Sequence, residues 1–176
     1  NFFFSATTIN FNNTKLIYFF LSAKSLTLYV SMDIAKTDIR LSVVVPFYNA
    51  ERHIGDCVHS LMRQSLSGGI EFIFVNDRST DASEAVLQAV VSSYPQRRDQ
   101  VTVLRNDINR GSAYSRQRGV DAASGEFVIH CDADDWVDAE MYGTMLRVAD
   151  STGADVVCTP YYLERSEERR VGKECR

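Results

Sequence analysis

Short apolar runs alternate with helical patterns through the middle of the chain. The first run, Leu41–Pro46, has no alternation of polar residues, which is typical of a strand buried on both faces of a parallel sheet. Similar runs predict four more strands at Ile70–Val75, Val101–Leu104, Glu126–Cys131 and Ala154–Thr159. The spacing between them leaves room for right-handed β-α-β crossovers.

Apolar residues at helical spacing fall between these predicted strands. Ala50–Ser65 predicts the first helix, and Asp81 begins the second with Glu84 placed as in a capping box. Gly111–Ser124 predicts a more polar third helix, and Asp138 can cap a fourth. The sequence therefore predicts an α/β fold, a doubly wound and mostly parallel sheet with helices on both faces.

The two ends of the chain differ from the middle. Residues 1–31 are rich in Asn, Phe, Ile, Lys and Tyr, and we expect residues 1–40 to be a leader that is disordered or not native, with Met32 as the true start. The alternative is a targeting or membrane segment, but the apolar stretch Leu16–Val30 contains a lysine and is shorter than the roughly 20 residues of a membrane span. The charged tail 164–176 is also expected not to be native, so the domain is predicted to occupy 41–163 and to continue beyond it.

Composition narrows the class of protein. With 45% hydrophobic and 24% charged residues, the 176-residue chain is neither disordered nor collagen-like. The net charge of −4 gives no support for binding nucleic acid. The cysteines form no C-x-x-C pair, and we expect Cys57, Cys131 and Cys158 to be buried, reduced thiols of a cytosolic protein.

Polar side chains follow three of the predicted strands, at 46–51, 76–81 and 132–136. The carboxyl ends of parallel strands meet at one edge of the sheet, where ligands bind near the switch point. In the third segment, Asp132, Asp134 and Asp135 repel one another unless a cation binds. Carboxylate and phosphate oxygens are the ligands that Mg²⁺ or Mn²⁺ prefers, so we expect a metal site here. The alternative is a solvated acidic loop that caps the next helix.

Three further side chains are candidate ligand contacts. Asp77 can accept hydrogen bonds from a base edge or act as a turn residue, and Tyr48 can stack on a base or pack. Arg116 can contact a phosphate or nucleotide, or be a solvated helical arginine. The chain has no G-x-G-x-x-G after the first strand and no G-x-x-x-x-G-K-[ST], which counts against a dinucleotide-binding domain and a P-loop nucleotidase.

Four segments, taken in order, carry a resemblance to a known family. They read VVVPFYNAERHI at 43–54, VNDRSTDAS at 75–83, NRGSAYSRQRG at 109–119 and SGEFVIHCDADDW at 124–136. Together they resemble the family 2 glycosyltransferases, nucleotide-sugar enzymes of the GT-A fold. The resemblance covers about 41–160.

The resemblance implies a role for individual residues. It implies a nucleotide-sugar site formed by Pro46, Tyr48, Glu51, Asp77, Arg116 and Asp132. Within it, Asp77 matches the aspartate that recognises uracil. Asp132 matches the aspartate near the ribose, and Asp134 matches the one on the divalent metal that bridges the diphosphate. Asp135 offers an additional contact.

The chain departs from the family pattern at a few positions. Asn76 stands where a first aspartate is common, Arg78 stands where glycine is common, and Ser115 and Gln117 replace the usual neighbours of Arg116. These departures leave open which base is bound and what geometry the loop after the second strand adopts.

The resemblance also implies an activity. A sugar moves with inversion from a donor such as a UDP-sugar to a hydroxyl of a saccharide or lipid-linked acceptor, with Mn²⁺ or Mg²⁺ as cofactor. The implied location is cytoplasmic, with peripheral association at the inner face of the membrane, in bacterial cell-envelope polysaccharide assembly. The family's general base is expected beyond this chain, so the chain should bind nucleotide better than it transfers sugar.

Two other functions remain open from the sequence. One is a Mg²⁺-dependent phosphatase or phosphotransferase, although those enzymes place D-x-D after their first strand. The other is a non-catalytic nucleotide-binding fragment or interaction module that lacks the acceptor half.

Overall fold

A computed structural model describes residues 38–159, which form four strands, four α-helices and one 3₁₀ helix. In chain order these are β1 (Leu41–Phe47), α1 (Ile54–Met62), β2 (Ile70–Asn76), α2 (Ser83–Ser92), the 3₁₀ helix Pro95–Gln100, β3 (Val101–Arg105), α3 (Ser112–Asp121), β4 (Phe127–His130) and α4 (Met141–Thr152).

The four strands make one parallel sheet in the order β3-β2-β1-β4. All seven residues of β1 are buried, as expected for a strand with neighbours on both sides and helices on both faces. The chain runs outward from β1 through β2 to β3 and then returns to place β4 on the other side of β1. The predicted α/β fold with a doubly wound parallel sheet is therefore confirmed.

Helices cover both faces of the sheet. Val43, Val45 and Phe47 of β1 point into the larger core, which also receives the apolar faces of α1, α2 and α4. The alternate residue Val44 points to the opposite face, where it packs with Ile73 of β2 in a smaller core. This second face is covered by α3.

A glycine lets α3 approach the sheet closely. A Cβ atom on Gly119 would lie 2.2 Å from Cγ1 of Val44, far inside van der Waals contact. The helix can therefore lie against β1 only because this position has no side chain. The close approach brings the preceding turn of α3, which carries Arg116, towards the carboxyl edge of the sheet.

Two predictions from the sequence are wrong. Residues 154–159 form no strand; Val157 of that run is apolar because it packs into the larger core. The capping box at the start of α2 is not formed, because Asp81 accepts a hydrogen bond from the Ser83 N–H, at 3.0 Å, while Glu84 turns to a different partner. In each case one residue, Val157 or Glu84, has partners that are distant in the sequence.

Several predicted boundaries also shift. The helix predicted at 50–65 is confined to Ile54–Met62, and the one predicted at 111–124 to Ser112–Asp121. The 3₁₀ helix that begins at Pro95 was not predicted. Of the expected buried thiols, Cys57 and Cys131 are buried and Cys158 is half-buried. The expectations for the leader and the tail concern residues outside the described 38–159.

Candidate functional site

The three polar segments predicted to meet do lie at one edge of the sheet. They follow the carboxyl ends of β1, β2 and β4, which are parallel neighbours. The strand order reverses between β1 and β4, and this is where open α/β sheets form a ligand crevice. The candidate site is therefore at the switch point of the fold.

A proline borders this crevice. The Val44 carbonyl accepts a hydrogen bond of 3.0 Å from the Cys131 N–H, so even-numbered residues of β1 direct their backbone groups towards β4. Pro46, the next even-numbered residue, also faces the β4 side of β1. Among residues 38–159 it has no partner strand there, because β4 pairs with β1 only as far as Val44. Pro46 lacks an N–H and therefore leaves no unpaired donor at the edge of the crevice.

Three carboxylates form an acidic cluster, defined here as Asp132, Asp134 and Asp135, in the loop after β4. One oxygen from each lies within 4.8 Å of the other two. Burial raises the pKa of Asp135 from 3.8 to about 6, and the negative charges of Asp134 and Asp132 add to the rise. The loop therefore holds negative charge at a cost in stability that a bound cation would offset.

The acidic cluster fits a hard divalent cation. Such ions bind oxygen ligands at about 2.0–2.6 Å, so oxygens on opposite sides of an ion are about 4–5 Å apart. The spacing of up to 4.8 Å between the three carboxylates is within reach of one ion. Asp134 is exposed, while Asp132 and Asp135 are half-buried, so the cluster is open to solvent on one side.

Arg116 lies beside the acidic cluster. Its Nη2 donates a hydrogen bond of 2.5 Å to Oδ1 of Asp132, and its Nη1 donates one of 3.2 Å to the Ser112 hydroxyl. The sequence pointed to both residues but did not predict that they pair. They meet because α3 covers the face of the sheet opposite α1 and packs closely against β1.

His130 is a buried neighbour that sequence reasoning missed. Burial lowers its pKa to about 4, and the positive charge of Arg116 adds to this effect while Asp132 opposes it. The imidazole is therefore neutral near pH 7. Its Nδ1 and the Nε of Arg116 are buried without a hydrogen-bond partner among residues 38–159. His130 lies within an apolar strand run, and nothing in the sequence indicates that it is buried beside Arg116.

Asp77 organises the loop between β3 and α3. Its Oδ1 accepts hydrogen bonds from Asn106 Nδ2 (2.7 Å) and the Arg110 N–H (2.8 Å), and its Oδ2 accepts one from the Gly111 N–H (2.7 Å). Burial opposes ionisation, but these donors outweigh it and lower the pKa of Asp77. The carboxylate thus holds the start of α3 next to the sheet edge.

Asn76, one departure from the family pattern, has a structural explanation. Its Nδ2 donates to Oε2 of Glu84 at 2.8 Å, and its Oδ1 accepts from the Ser79 N–H at 2.7 Å. Glu84 also accepts from Nε of Arg105 at 2.7 Å. An aspartate at position 76 has no N–H to donate and would place a second carboxylate against Glu84.

Tyr48 and Glu51, the other two residues expected in the nucleotide site, have different surroundings. Tyr48, just after β1, is 48% exposed at the carboxyl edge, where its ring is available to a ligand. The Glu51 side chain lies across the neighbouring loop, where its Oε2 accepts a hydrogen bond of 3.0 Å from the Ala82 N–H. Glu51 therefore already has a partner within the protein.

Comparison with known proteins decides the family. The sequence model of Glycosyl transferase family 2 matches residues 42–174 of the chain. The chain belongs to glycosyl transferase family 2. This confirms the resemblance found in the sequence motifs.

Two relatives of this chain are bacterial proteins. The uncharacterized glycosyltransferase EpsJ of Bacillus subtilis is 33% identical over 129 residues, which is 73% of this chain and 36% of EpsJ. The glycosyltransferase GlyG of Streptococcus pneumoniae is 34% identical over 122 residues, 69% of this chain and 39% of GlyG. The chain thus spans well under half the length of these two relatives.

Solved structures of two other proteins share the fold. S. aureus TarS in complex with UDP-GlcNAc matches with a TM-score of 0.58 and 30% identity, over 64% of this chain and 32% of that one. The mannosyltransferase PcManGT from Pyrobaculum calidifontis, in complex with GDP-Man and Mn²⁺, has a TM-score of 0.58 at 22% identity, covering 68% and 36%. The second likeness shows the fold only.

Proposed function

We propose that this family 2 chain is the donor-binding part of a metal-dependent, inverting glycosyltransferase that uses a UDP-sugar. The observation that carries the proposal is the pairing of Arg116 with the acidic cluster at the switch point of the sheet. A cation-binding cluster beside an arginine is suited to a nucleoside diphosphate, which needs positive charge around its phosphates. The likeness to TarS in complex with UDP-GlcNAc supports UDP as the nucleotide.

Individual residues take the roles that the family resemblance implies. Asp134 and Asp132 hold Mn²⁺ or Mg²⁺, and the ion supplies positive charge that offsets the charge on the diphosphate leaving group. The proposed nucleotide-sugar site comprises Pro46, Tyr48, Glu51, Asp77, Arg116 and Asp132. Tyr48 offers an exposed ring for the base, and Asp77 recognises the base while holding the β3–α3 loop in place.

The acceptor half of the reaction requires residues outside the described part of the chain. An acceptor hydroxyl of a saccharide or a lipid-linked saccharide attacks the sugar carbon from the face opposite the leaving group, and a carboxylate takes the hydroxyl proton. We assign no such base within 38–159. Because the chain spans about a third of its relatives' length, a non-catalytic nucleotide-binding fragment is the second candidate function.

The cellular setting belongs to the same proposal. We place the protein in the cytoplasm at the inner face of the membrane, in assembly of a cell-envelope polysaccharide. A poly(ribitol-phosphate) beta-glucosyltransferase of Bacillus spizizenii, 32% identical over 104 residues (58% of this chain and 16% of that protein), supports the envelope assignment. Among residues 38–159, no helix is both long enough and apolar enough to cross a membrane.

Thermal unfolding with added nucleotides tests the donor site. The chain is melted with UDP, GDP or CMP, each with and without Mn²⁺, beside the variants Asp134→Asn and Asp121→Asn. Asp121 is the matched control, since it lies at the far end of α3 and bonds to Gln117. A ligand at 100 times its Kd stabilises the folded state by about 2.7 kcal/mol.

The expected result is a rise in Tm with UDP that requires Mn²⁺, is lost in Asp134→Asn and is kept in Asp121→Asn. A chain that melts cooperatively and responds to no nucleotide contradicts the proposed function. A full response to UDP without sugar transfer to any acceptor favours the nucleotide-binding fragment.

A further inference from the structure

Two neighbouring loops at the carboxyl edge are linked by reciprocal hydrogen bonds. They are the β1–α1 loop, residues 48–53, and the β2–α2 loop, residues 77–82, and they lie side by side because β1 and β2 are paired strands. In each link, a backbone N–H of one loop donates to a side chain of the other. We call the set of these links the loop clasp.

The first link of the loop clasp involves Asn49. Its backbone N–H donates to the Ser79 hydroxyl at 3.1 Å, and its side-chain Oδ1 accepts from the Thr80 N–H at 2.8 Å. Asn49 has a φ of 49°, and the nearby Arg78 has a φ of 65°. Left-handed backbone at non-glycine residues costs free energy, so both loops depend on outside contacts to keep their shape.

The second link pairs two carboxylates with two backbone donors. The Glu51 N–H donates to Oδ2 of Asp81 at 3.2 Å, and Oε2 of Glu51 accepts from the Ala82 N–H at 3.0 Å. Asp81 also accepts from the Ser83 N–H through its Oδ1, at 3.0 Å.

This second link also caps α2. The N-cap residue of α2 is Ala82, which has no side chain able to cap the helix. The carboxylates of Glu51 and Asp81 replace that missing cap and place negative charge at the positive end of the helix. Hydrogen bonds from Ser83 and Glu51 outweigh the effect of burial and lower the pKa of Asp81, so this carboxylate is ionised near neutral pH.

We propose that Glu51 and Asp81 are positioning residues that hold Tyr48 in place for the donor base. Tyr48 lies between Phe47, whose carbonyl accepts from the Asp77 N–H at 2.9 Å, and Asn49 of the first link. Its backbone is thus fixed on both sides by the β2–α2 loop, while its ring is exposed. This inference rests on the proposed donor site and changes the role of Glu51 from ligand contact to support.

A direct ligand contact by Glu51 makes a different prediction. If Glu51 touches the nucleotide, removing Asp81 should leave nucleotide affinity intact. If Glu51 acts through the loop clasp, Asp81→Ala and Glu51→Ala should weaken nucleotide binding to similar extents. Their combined effect should be smaller than the product of the two, because each variant breaks the same link.

The experiment measures two dissociation constants on the full chain by titration calorimetry: Mn²⁺ added without nucleotide, and UDP added with saturating Mn²⁺. The variants are Glu51→Ala, Asp81→Ala, the double variant, and the conservative Glu51→Gln and Asp81→Asn, which keep an acceptor oxygen. Asp121→Ala is the control. The affinity for Mn²⁺ tests whether the neighbouring loop after β4 is still folded.

We expect Glu51→Ala and Asp81→Ala each to raise the Kd for UDP about tenfold and to leave the Kd for Mn²⁺ within twofold. The conservative variants should recover most of the loss. Unchanged UDP affinity in Asp81→Ala, or equal losses of Mn²⁺ and UDP affinity in both alanine variants, overturns the positioning role. Absence of UDP binding by the unmodified chain overturns the donor site itself, and the inference with it.

Discussion

Arg116 and Asp132 are joined by a hydrogen bond of 2.5 Å between the guanidinium Nη2 and the carboxylate Oδ1. The pair places the positive charge of Arg116 directly beside the three adjacent carboxylates of the acidic cluster. A metal ion that enters the cluster must therefore bind beside a positive charge that is already present. The strength of metal binding should depend on this arginine.

Arg116→Gln should bind Mn²⁺ more tightly than the unmodified chain when no nucleotide is present. Two unit charges about 4 Å apart interact by about 1 kcal/mol in water, so removing the arginine should lower the Kd about fivefold. Electron paramagnetic resonance of free Mn²⁺ measures this change. Arg118→Gln is the control, because Arg118 lies on the same helix but donates to Oδ1 of Asn106, at 2.6 Å. An equal effect in both variants contradicts the prediction.

Asn76→Asp should destabilise the fold even though it restores the residue common in the family. The change removes the hydrogen bond of 2.8 Å to Glu84 and sets two carboxylates against each other. The expected loss is about 1–3 kcal/mol in the free energy of unfolding, measured by urea denaturation. Adding Glu84→Gln should recover most of it, because the amide can donate to the new carboxylate. No recovery in the double variant would contradict this account.

Gly119→Ala tests the close packing of α3 on the sheet. Alanine has the higher helix propensity, but its Cβ would meet Cγ1 of Val44 at 2.2 Å. We expect the overpacking to dominate and to lower the free energy of unfolding by about 1–3 kcal/mol. In a double-mutant cycle with Val44→Ala, the double variant should lose less stability than the sum of the losses in the two single variants. Strict additivity would show that the helix does not need this contact.

The acidic cluster should make stability depend on pH in the metal-free protein. The pKa of Asp135 is about 6 in the folded protein and ordinarily 3.8, so the ionised side chain destabilises the fold above pH 6. As pH falls through 6, the folded state takes up the proton before the unfolded state does, and this penalty is lost. Asp135→Asn should therefore be more stable than the unmodified chain at pH 7.5, with a smaller difference at pH 5.

Urea denaturation in the presence of a chelator measures that difference. Comparing the two proteins at each pH separates Asp135 from His130, whose pKa of about 4 lies below the ordinary 6.5. His130 removes stability as pH falls from about 6.5 towards 4, in both proteins alike. An advantage of Asp135→Asn that is equal at both pH values contradicts the prediction.

The sequence by itself determined the order of elements and the edge at which polar residues gather. Leu41–Pro46 was predicted as a buried strand because the absence of polar alternation reports burial on both faces. Asp132 and Asp134 were placed at a strand end because the apolar run stops directly before them. These features depend on residues that are close together in the sequence, so the local spacing of apolar and polar residues is enough to predict them.

The tertiary structure decided which of these residues touch. Arg116 meets Asp132 only because α3 packs on the face of the sheet opposite the other helices, and Glu51 meets Ala82 only because β1 and β2 are neighbours. The predicted strand at 154–159 failed for the same reason: an apolar run can pack against a core without pairing. Hydrogen-bond partners depend on strand order and helix side, and the local spacing of residues does not encode either.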